Sequence, residues 1–151
     1  MNPDFVDLLR SLSDHEARFL VVGAYALAVH GRPRATGDLD LWVEPTPENA
    51  RRVYAALRHF GAPLADLTEV DLSTEGVVFQ MGLPPRRIDL LTRISGVGFA
   101  EAWTHRTTAR FGDLACPVIG LDDQIINKRA TGREKDLVDA NDLEAIKTSR
   151  R

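Results

Sequence analysis

Asp38 and Asp40 are the residues whose type and spacing most directly indicate chemistry. They stand two residues apart among Leu39, Leu41 and Val43, an apolar alternation typical of a β-strand. Because successive side chains of a strand point to opposite faces, both carboxylates lie on one face. Neighbouring carboxylates repel unless they are well solvated or neutralised, and oxygen ligands suit a hard cation such as Mg²⁺. The pair therefore predicts a site for a divalent cation.

Three other features strengthen this prediction, because an acid-x-acid pattern alone is common on solvated strands. Asp89 lies between two apolar residues of a later predicted strand, where an unpaired acid is costly to bury and a shared cation site would explain it. Upstream, a predicted strand passes through Gly23 into a short helix, and free backbone N–H groups at such a turn can hold a phosphate. A loop with Arg34 and Thr36 immediately precedes the acidic pair.

The elements that must position these residues alternate between strand-like and helix-like patterns. The predicted strands are 18–22, 38–43, 75–83, 87–91, 107–111 and 116–119, the fourth antiparallel to the third. The predicted helices are one that follows Asn2, then 24–30, 47–60, 99–105, one capped by Asp122 or Asp123 that runs to 130, and 133–147. Residues 63–74 are predicted as loop with a helical turn. The order favours an α/β (α+β) fold in a single domain, 1–151.

Composition narrows the classes of protein. The chain has 151 residues, is 44% hydrophobic and 27% charged, and carries a net charge of −3, so any nucleic acid must be held by local basic clusters. Cys116 is the single cysteine and is predicted to be a core residue. No apolar run is long enough to span a bilayer, and no signal-peptide pattern is present. These features predict a soluble, cytoplasmic protein with no membrane partner.

Two runs carry a resemblance to a known family. GAYALAVHGRPRATGDLDL, which begins at Gly23, and NKRATGREKDLVDANDLEAI, which begins at Asn127, resemble the DNA polymerase β-like nucleotidyltransferase superfamily and, within it, the abortive-infection toxin (AbiEii-like) branch. The resemblance implies a mixed central sheet flanked by helices and a C-terminal helical pair. It also implies that Asp38 and Asp40 ligate one or two Mg²⁺ ions, with Mn²⁺ as an alternative. Asp89 would complete the second site or activate the acceptor hydroxyl.

The same resemblance implies a nucleotide-binding set. Its members are Gly23, Ala24, Arg34, Thr36, Lys128, Arg133 and Lys135. The backbone that follows Gly23 would hold the triphosphate, and Lys128 would meet phosphate charge. The chain departs from the family at Ala24, where glycine or serine is usual, and loss of a hydroxyl contact to a charged group costs about 1.5–3 kcal/mol. The basic residues of the second run also fit a solvated helix face.

The predicted function is metal-dependent transfer of a nucleoside monophosphate from an NTP to an RNA (tRNA) end or a protein hydroxyl, in a toxin–antitoxin pair with a cognate antitoxin. One alternative is a catalytically inactive member that senses nucleotides or binds a partner. A second is a metal-dependent phosphohydrolase or nuclease that uses the same acids on water. P-loop and dinucleotide-binding motifs are missing, since Gly96-Val97-Gly98 lacks a third glycine and a preceding strand.

Overall fold

The computed structural model describes residues 1–33 and 37–150, and within these residues the chain forms seven helices and one six-stranded sheet. The helices are α1 (Pro3–Asp14), α2 (Gly23–Val29), α3 (Pro47–Phe60), α4 (Glu69–Leu72), α5 (Phe99–Thr104), α6 (Leu121–Thr131) and α7 (Glu134–Ser149). The strands are β1 (Phe19–Val22), β2 (Leu39–Val43), β3 (Val78–Met81), β4 (Ile88–Leu91), β5 (Thr107–Phe111) and β6 (Leu114–Val118). Two predicted nucleotide-binding residues, Arg34 and Thr36, lie outside the described residues.

The sheet is mixed and has the order β3-β4-β2-β1-β6-β5. β2 runs parallel to β4 and β1 runs parallel to β6, whereas the other neighbours are antiparallel. Since β1 and β2 are antiparallel, the end of β1 lies beside the start of β2, and Val22 pairs with Asp40. The predicted α/β (α+β) fold with a mixed central sheet is confirmed.

The main core lies between the sheet and helices α1 and α3. The apolar residues of α1 recur at helical spacing, and Phe5, Leu8, Leu9 and Leu12 are all 1% exposed or less. Asn2 caps α1 and Thr46 caps α3, each with a side chain that accepts a backbone N–H bond. These helices share one core with the central strands β1 and β2, and all apolar residues of the two strands are buried.

The predicted C-terminal helical pair is present as α6 and α7, which pack against each other. Gly132 ends α6 in the left-handed conformation, with a φ of 69°. A small second core of Leu27, Ile125 and Leu143 joins this pair to α2. The pair is therefore fixed beside the turn that begins α2. Among the described residues, no helix has the length and apolarity that a membrane crossing requires.

Apart from shifts of one or two residues at other boundaries, such as β6 beginning at Leu114, the structure differs from the predicted elements at two places. β3 covers only Val78–Met81. Before it, the Thr92 hydroxyl donates to the Thr74 carbonyl at 2.6 Å and accepts from the Val77 N–H at 2.8 Å, and after it Gly82 turns the chain at a φ of 78°. The cap of α6 is Gly120 rather than either predicted aspartate. Asp123 lies inside the first turn, where its carboxylate contacts His105 Nδ1 at 3.1 Å.

Candidate active site

Asp40 and Asp89 lie side by side at the centre of the sheet. They occupy matching positions on the parallel strands β2 and β4, so their side chains share one face. Asp89 is 8% exposed, and the two carboxyl groups are close enough to share a hydrogen bond. Asp38 precedes β2 by one residue and is half-buried. The sheet register therefore places Asp89 beside Asp38 and Asp40, the pair that the sequence pattern indicates.

The environment of Asp40 makes its charged form unfavourable. Burial, followed by the negative charges of Asp89 and Asp38 and a hydrogen bond that protonated Asp40 donates to Asp89, raises the pKa of Asp40 to about 6. Arg87 opposes this shift only weakly, as the last of the causes. A cation placed against Asp40 would therefore relieve a repulsion that Arg87, which pairs with Asp89, offsets only in part.

The turn at Gly23 packs directly on the Asp40 carboxylate. Gly23 has a φ of +67°, and a Cβ at this position would overlap Asp40 Oδ2. Gln124, which is 1% exposed, donates from Nε2 to the Gly23 carbonyl at 3.0 Å and ties the turn to α6. The first backbone N–H groups of α2 have no partner within the helix. The fold thus places hydrogen-bond donors next to the acidic pair.

Arg87 lies among the acids, although the sequence prediction did not include it. Its Nε donates to Asp89 Oδ1 at 2.9 Å, and its Nη2 donates to Asp89 Oδ2 at 3.3 Å. The same Nη2 lies 3.7 Å from Asp38 Oδ2, and the backbone N–H of Arg87 donates to Asp38 Oδ1 at 3.1 Å. The spacing of Arg87 and Asp89, two residues apart near one strand, is a signal that could have indicated this pairing.

A hard cation such as Mg²⁺ requires several oxygen ligands at one place. Across residues 1–33 and 37–150, no group of three or more His, Cys, Asp or Glu side chains has the arrangement of a metal site. Asp40 and Asp89 nevertheless offer carboxylate oxygens at one place, and their mutual repulsion favours a cation. Arg87 contacts Asp38 and Asp89. Asp40 therefore fits as it stands, and Asp38 and Asp89 fit once their contacts with Arg87 are broken.

A cleft of about 640 Å³ opens at this face of the sheet. Residues from β1, α2 and β2 form one side, and residues from the C-terminal helical pair form another. Of the predicted site residues, those that line it are Gly23, Ala24, Asp38, Asp40, Lys128, Arg133 and Lys135. Arg87 also lines the cleft, whereas Asp89, which it contacts, does not. Residues that the sequence prediction missed include Arg93, Ser95 and Asn127.

Lys128 is neutralised within the helical pair. Its Nζ lies 3.2 Å from Asp136 Oδ1 and 3.3 Å from Asp139 Oδ2, and its side chain is 12% exposed. Asp136 also accepts from Thr131 Oγ1 at 2.7 Å and from Arg133 Nε at 2.8 Å. Burial raises the pKa of Asp136, but these three donors outweigh it and the pKa is lowered. The cluster therefore holds α6 against α7 with little net charge.

Lys135 and Arg93 supply the cationic character of the cleft wall. Both side chains line the cleft and are exposed, and neither forms a salt bridge with another residue in the described parts of the chain. Asn127, which is on α6, donates from Nδ2 to the Ser95 carbonyl at 3.0 Å and so fixes the loop that carries Arg93. A polyanion in the cleft would meet these two charges across from the acids.

Neither a family model nor a curated protein sequence matches the chain. The chain is similar in structure to a crystal structure of a Thermotoga maritima protein described as a "putative nucleotidyltransferase". The two share 14% sequence identity and superpose with a TM-score of 0.57 over 100% of this chain and 96% of the other. At this identity the similarity concerns the fold alone. The chain has a nucleotidyltransferase-like fold.

Proposed function

We propose that the protein is a metal-dependent nucleotidyltransferase that moves a nucleoside monophosphate from an NTP to a hydroxyl of RNA, such as tRNA, or of a protein. One observation carries the proposal: Asp40 is packed between Asp89 and the Gly23 turn, in a cleft with cations on another wall. The nucleotidyltransferase-like fold agrees with it. The placement in the AbiEii-like branch and in a toxin–antitoxin pair is part of the proposal and depends on the two sequence runs.

Asp40 and Asp89 would hold Mg²⁺ or Mn²⁺, and Asp38 would join them. When bound, the ion would supply neutralisation of phosphate charge and activation of the acceptor oxygen, and two such ions are expected. Asp40 and Asp89 orient these charges because strand pairing fixes their relative position. Asp89 would complete the second cation site or accept the proton of the attacking hydroxyl.

The nucleotide would lie with its triphosphate between the Gly23 turn and the cationic wall. The backbone donors after Gly23 bind phosphate oxygens, and Ala24 contributes its N–H but no hydroxyl. Lys135 and Arg93 neutralise the departing pyrophosphate as its charge increases. Lys128 acts mainly through the cluster with Asp136, because its charge is already paired. Because Ala24 has no hydroxyl with which to bind phosphate, we expect a modest affinity for NTP.

Label transfer tests the proposal. The protein is incubated with Mg²⁺, each α-labelled NTP in turn, and either total tRNA or a cell lysate, and label on a macromolecule is measured. We expect transfer by the wild type and its loss in Asp40→Asn. Asp66→Asn is the matched control, because it makes the same change at an exposed turn residue. Growth arrest on expression of the wild type but not of Asp40→Asn would support the toxin assignment.

Two other results would assign a different function. Release of labelled free monophosphate without a labelled macromolecule would indicate a phosphohydrolase or nuclease. Nucleotide binding without turnover, with either metal, would indicate a nucleotide sensor or a partner-binding protein. The sensor is the second candidate because Ala24 lacks a hydroxyl and Arg87 already contacts two of the acids.

A further inference from the structure

Arg87 has the position of a cation bound to the acidic site. One guanidinium nitrogen, Nη2, lies 3.3 Å from an Asp89 oxygen and 3.7 Å from an Asp38 oxygen, and Nε adds a second bond of 2.9 Å to Asp89. The Arg87 side chain is 31% exposed, whereas that of Asp89 is 11% exposed. Since Arg87 lines the cleft and Asp89 does not, the guanidinium stands between Asp89 and the cleft.

These contacts conflict with a divalent cation at the same carboxylates. An arginine side chain keeps its positive charge at every physiological pH, so it cannot become neutral when the ion arrives. Its donors and the ion require the same lone pairs of Asp38 and Asp89. Two like charges within a few ångströms also repel strongly in a partly buried site. The bonds of Arg87 must therefore break before Asp38 and Asp89 can act as ligands.

We propose that Arg87 is an exchangeable counter-ion, which neutralises Asp38 and Asp89 in the metal-free protein and moves onto substrate phosphate when a divalent cation takes those carboxylates. The inference rests on the proposed function, because it requires that cation and that substrate. The cleft supplies the destination, since Arg87 lines the same space as Gly23 and Lys135. A guanidinium binds phosphate oxygens with paired donors as readily as it binds a carboxylate.

Binding of Mn²⁺ alone, measured by electron paramagnetic resonance on the nucleotide-free protein, tests whether Arg87 competes with the cation for Asp38 and Asp89. We expect Arg87→Gln to bind Mn²⁺ about tenfold more tightly than the wild type, because a competing like charge is removed. Arg86→Gln is the matched control, since it makes the same charge change at the preceding residue, which is exposed. It should stay within about twofold of the wild type. Equal Mn²⁺ affinity in the two variants would overturn the inference.

Binding of a non-hydrolysable NTP analogue at saturating Mn²⁺ tests whether Arg87 then binds phosphate. Arg87→Gln should bind the analogue several-fold more weakly than Arg86→Gln, because it has lost a phosphate contact. Unchanged analogue affinity would refute the transfer to phosphate. Should Arg87→Gln fail to fold, Arg87→Lys retains the charge without the paired donors. It should bind Mn²⁺ more tightly than Arg86→Gln does but with less than the tenfold gain expected for Arg87→Gln, and an affinity equal to that of Arg86→Gln would overturn the inference.

Asp40→Asn separates this inference from the proposed function. If Asp40→Asn binds Mn²⁺ as well as the wild type does, the cation site itself is refuted and both proposals fail. If Asp40→Asn loses Mn²⁺ while Arg87→Gln matches Arg86→Gln, the cation site stands and only the role of Arg87 is refuted.

Discussion

Asp40→Asn should stabilise the metal-free protein at neutral pH, although it should abolish transfer. The pKa of Asp40 rises from 3.8 to about 6 on folding, through burial and the charges of Asp89 and Asp38. Each pKa unit corresponds to about 1.4 kcal/mol, so charged Asp40 lowers the free energy of unfolding by up to about 3 kcal/mol. An amide of the same shape removes this repulsion and can donate a hydrogen bond to Asp89. We expect a gain of about 1–3 kcal/mol.

The pH dependence provides the sharper measurement. Because the folded pKa is raised, the folded protein holds the Asp40 proton more tightly, and the stability that this provides is lost as pH rises from 3.8 to about 6. The difference in free energy of unfolding between Asp40→Asn and the wild type should therefore be smallest near pH 4 and reach its full value above pH 6. Urea unfolding in EDTA, followed through buried Trp42 at pH 4.5, 6 and 8, measures it.

The outcome that would refute this reasoning is a destabilised Asp40→Asn at pH 8, or a difference that does not change with pH. Asp66→Asn, at an exposed position, should show no such pH-dependent gain. Mg²⁺ or Mn²⁺ should reverse the order, because a ligand that binds only the folded wild type raises its free energy of unfolding. Equal stabilisation of both proteins by metal would show that Asp40 is not a ligand.

Three further substitutions test neighbouring contacts. Gly23→Ala should lower label transfer by at least about 100-fold, because its Cβ would displace the Asp40 carboxylate. The control is Gly61→Ala, at a φ of 93° in open space. It should keep full transfer and lose only about 1–2 kcal/mol of stability, the cost of the left-handed conformation. Gln124→Met, which removes the donor to the Gly23 carbonyl, should raise the KM for NTP about tenfold in steady-state kinetics, and an unchanged KM would count against a positioning role. Asp136→Asn should lower the free energy of unfolding at pH 7 by on the order of 3 kcal/mol in urea titrations. Since the pKa of Asp136 is lowered on folding, that loss should shrink as pH falls below about 4, and a loss independent of pH would contradict the ion-pair account.

Local patterns predict the part of the site that local geometry determines. The alternation around Asp40 places Asp38 and Asp40 on one strand face, and the glycine after the first buried strand predicts the turn at Gly23. Helix caps and the C-terminal pair follow from similar short-range signals. These elements need no knowledge of distant contacts, because a few neighbouring residues determine their backbone conformation.

Contacts between distant segments could not be predicted in the same way. The register that sets Asp40 beside Asp89 depends on how β2 and β4 pack in the sheet, which no short pattern encodes. Gln124 meets the Gly23 carbonyl across 101 positions of the chain. The resemblance implied a phosphate contact at Lys128, and the pairing of this lysine with Asp136 and Asp139 could not be predicted from the run itself. Sequence identifies which charges are present, and tertiary packing decides which of them remain available to a ligand.

The described part of the cleft is close to balanced in charge before any ligand enters. Arg87 neutralises part of the acidic side, and Asp136 and Asp139 neutralise Lys128 on the other wall. Free Mg²⁺ would have to compete with Arg87, and free NTP would have to approach Asp40 and Asp89 without a compensating cation. A metal–NTP complex avoids both penalties, because its cation takes the carboxylates while its phosphates receive the guanidinium. If the proposed function holds, the internal pairing would favour joint entry of metal and nucleotide over binding of either one alone.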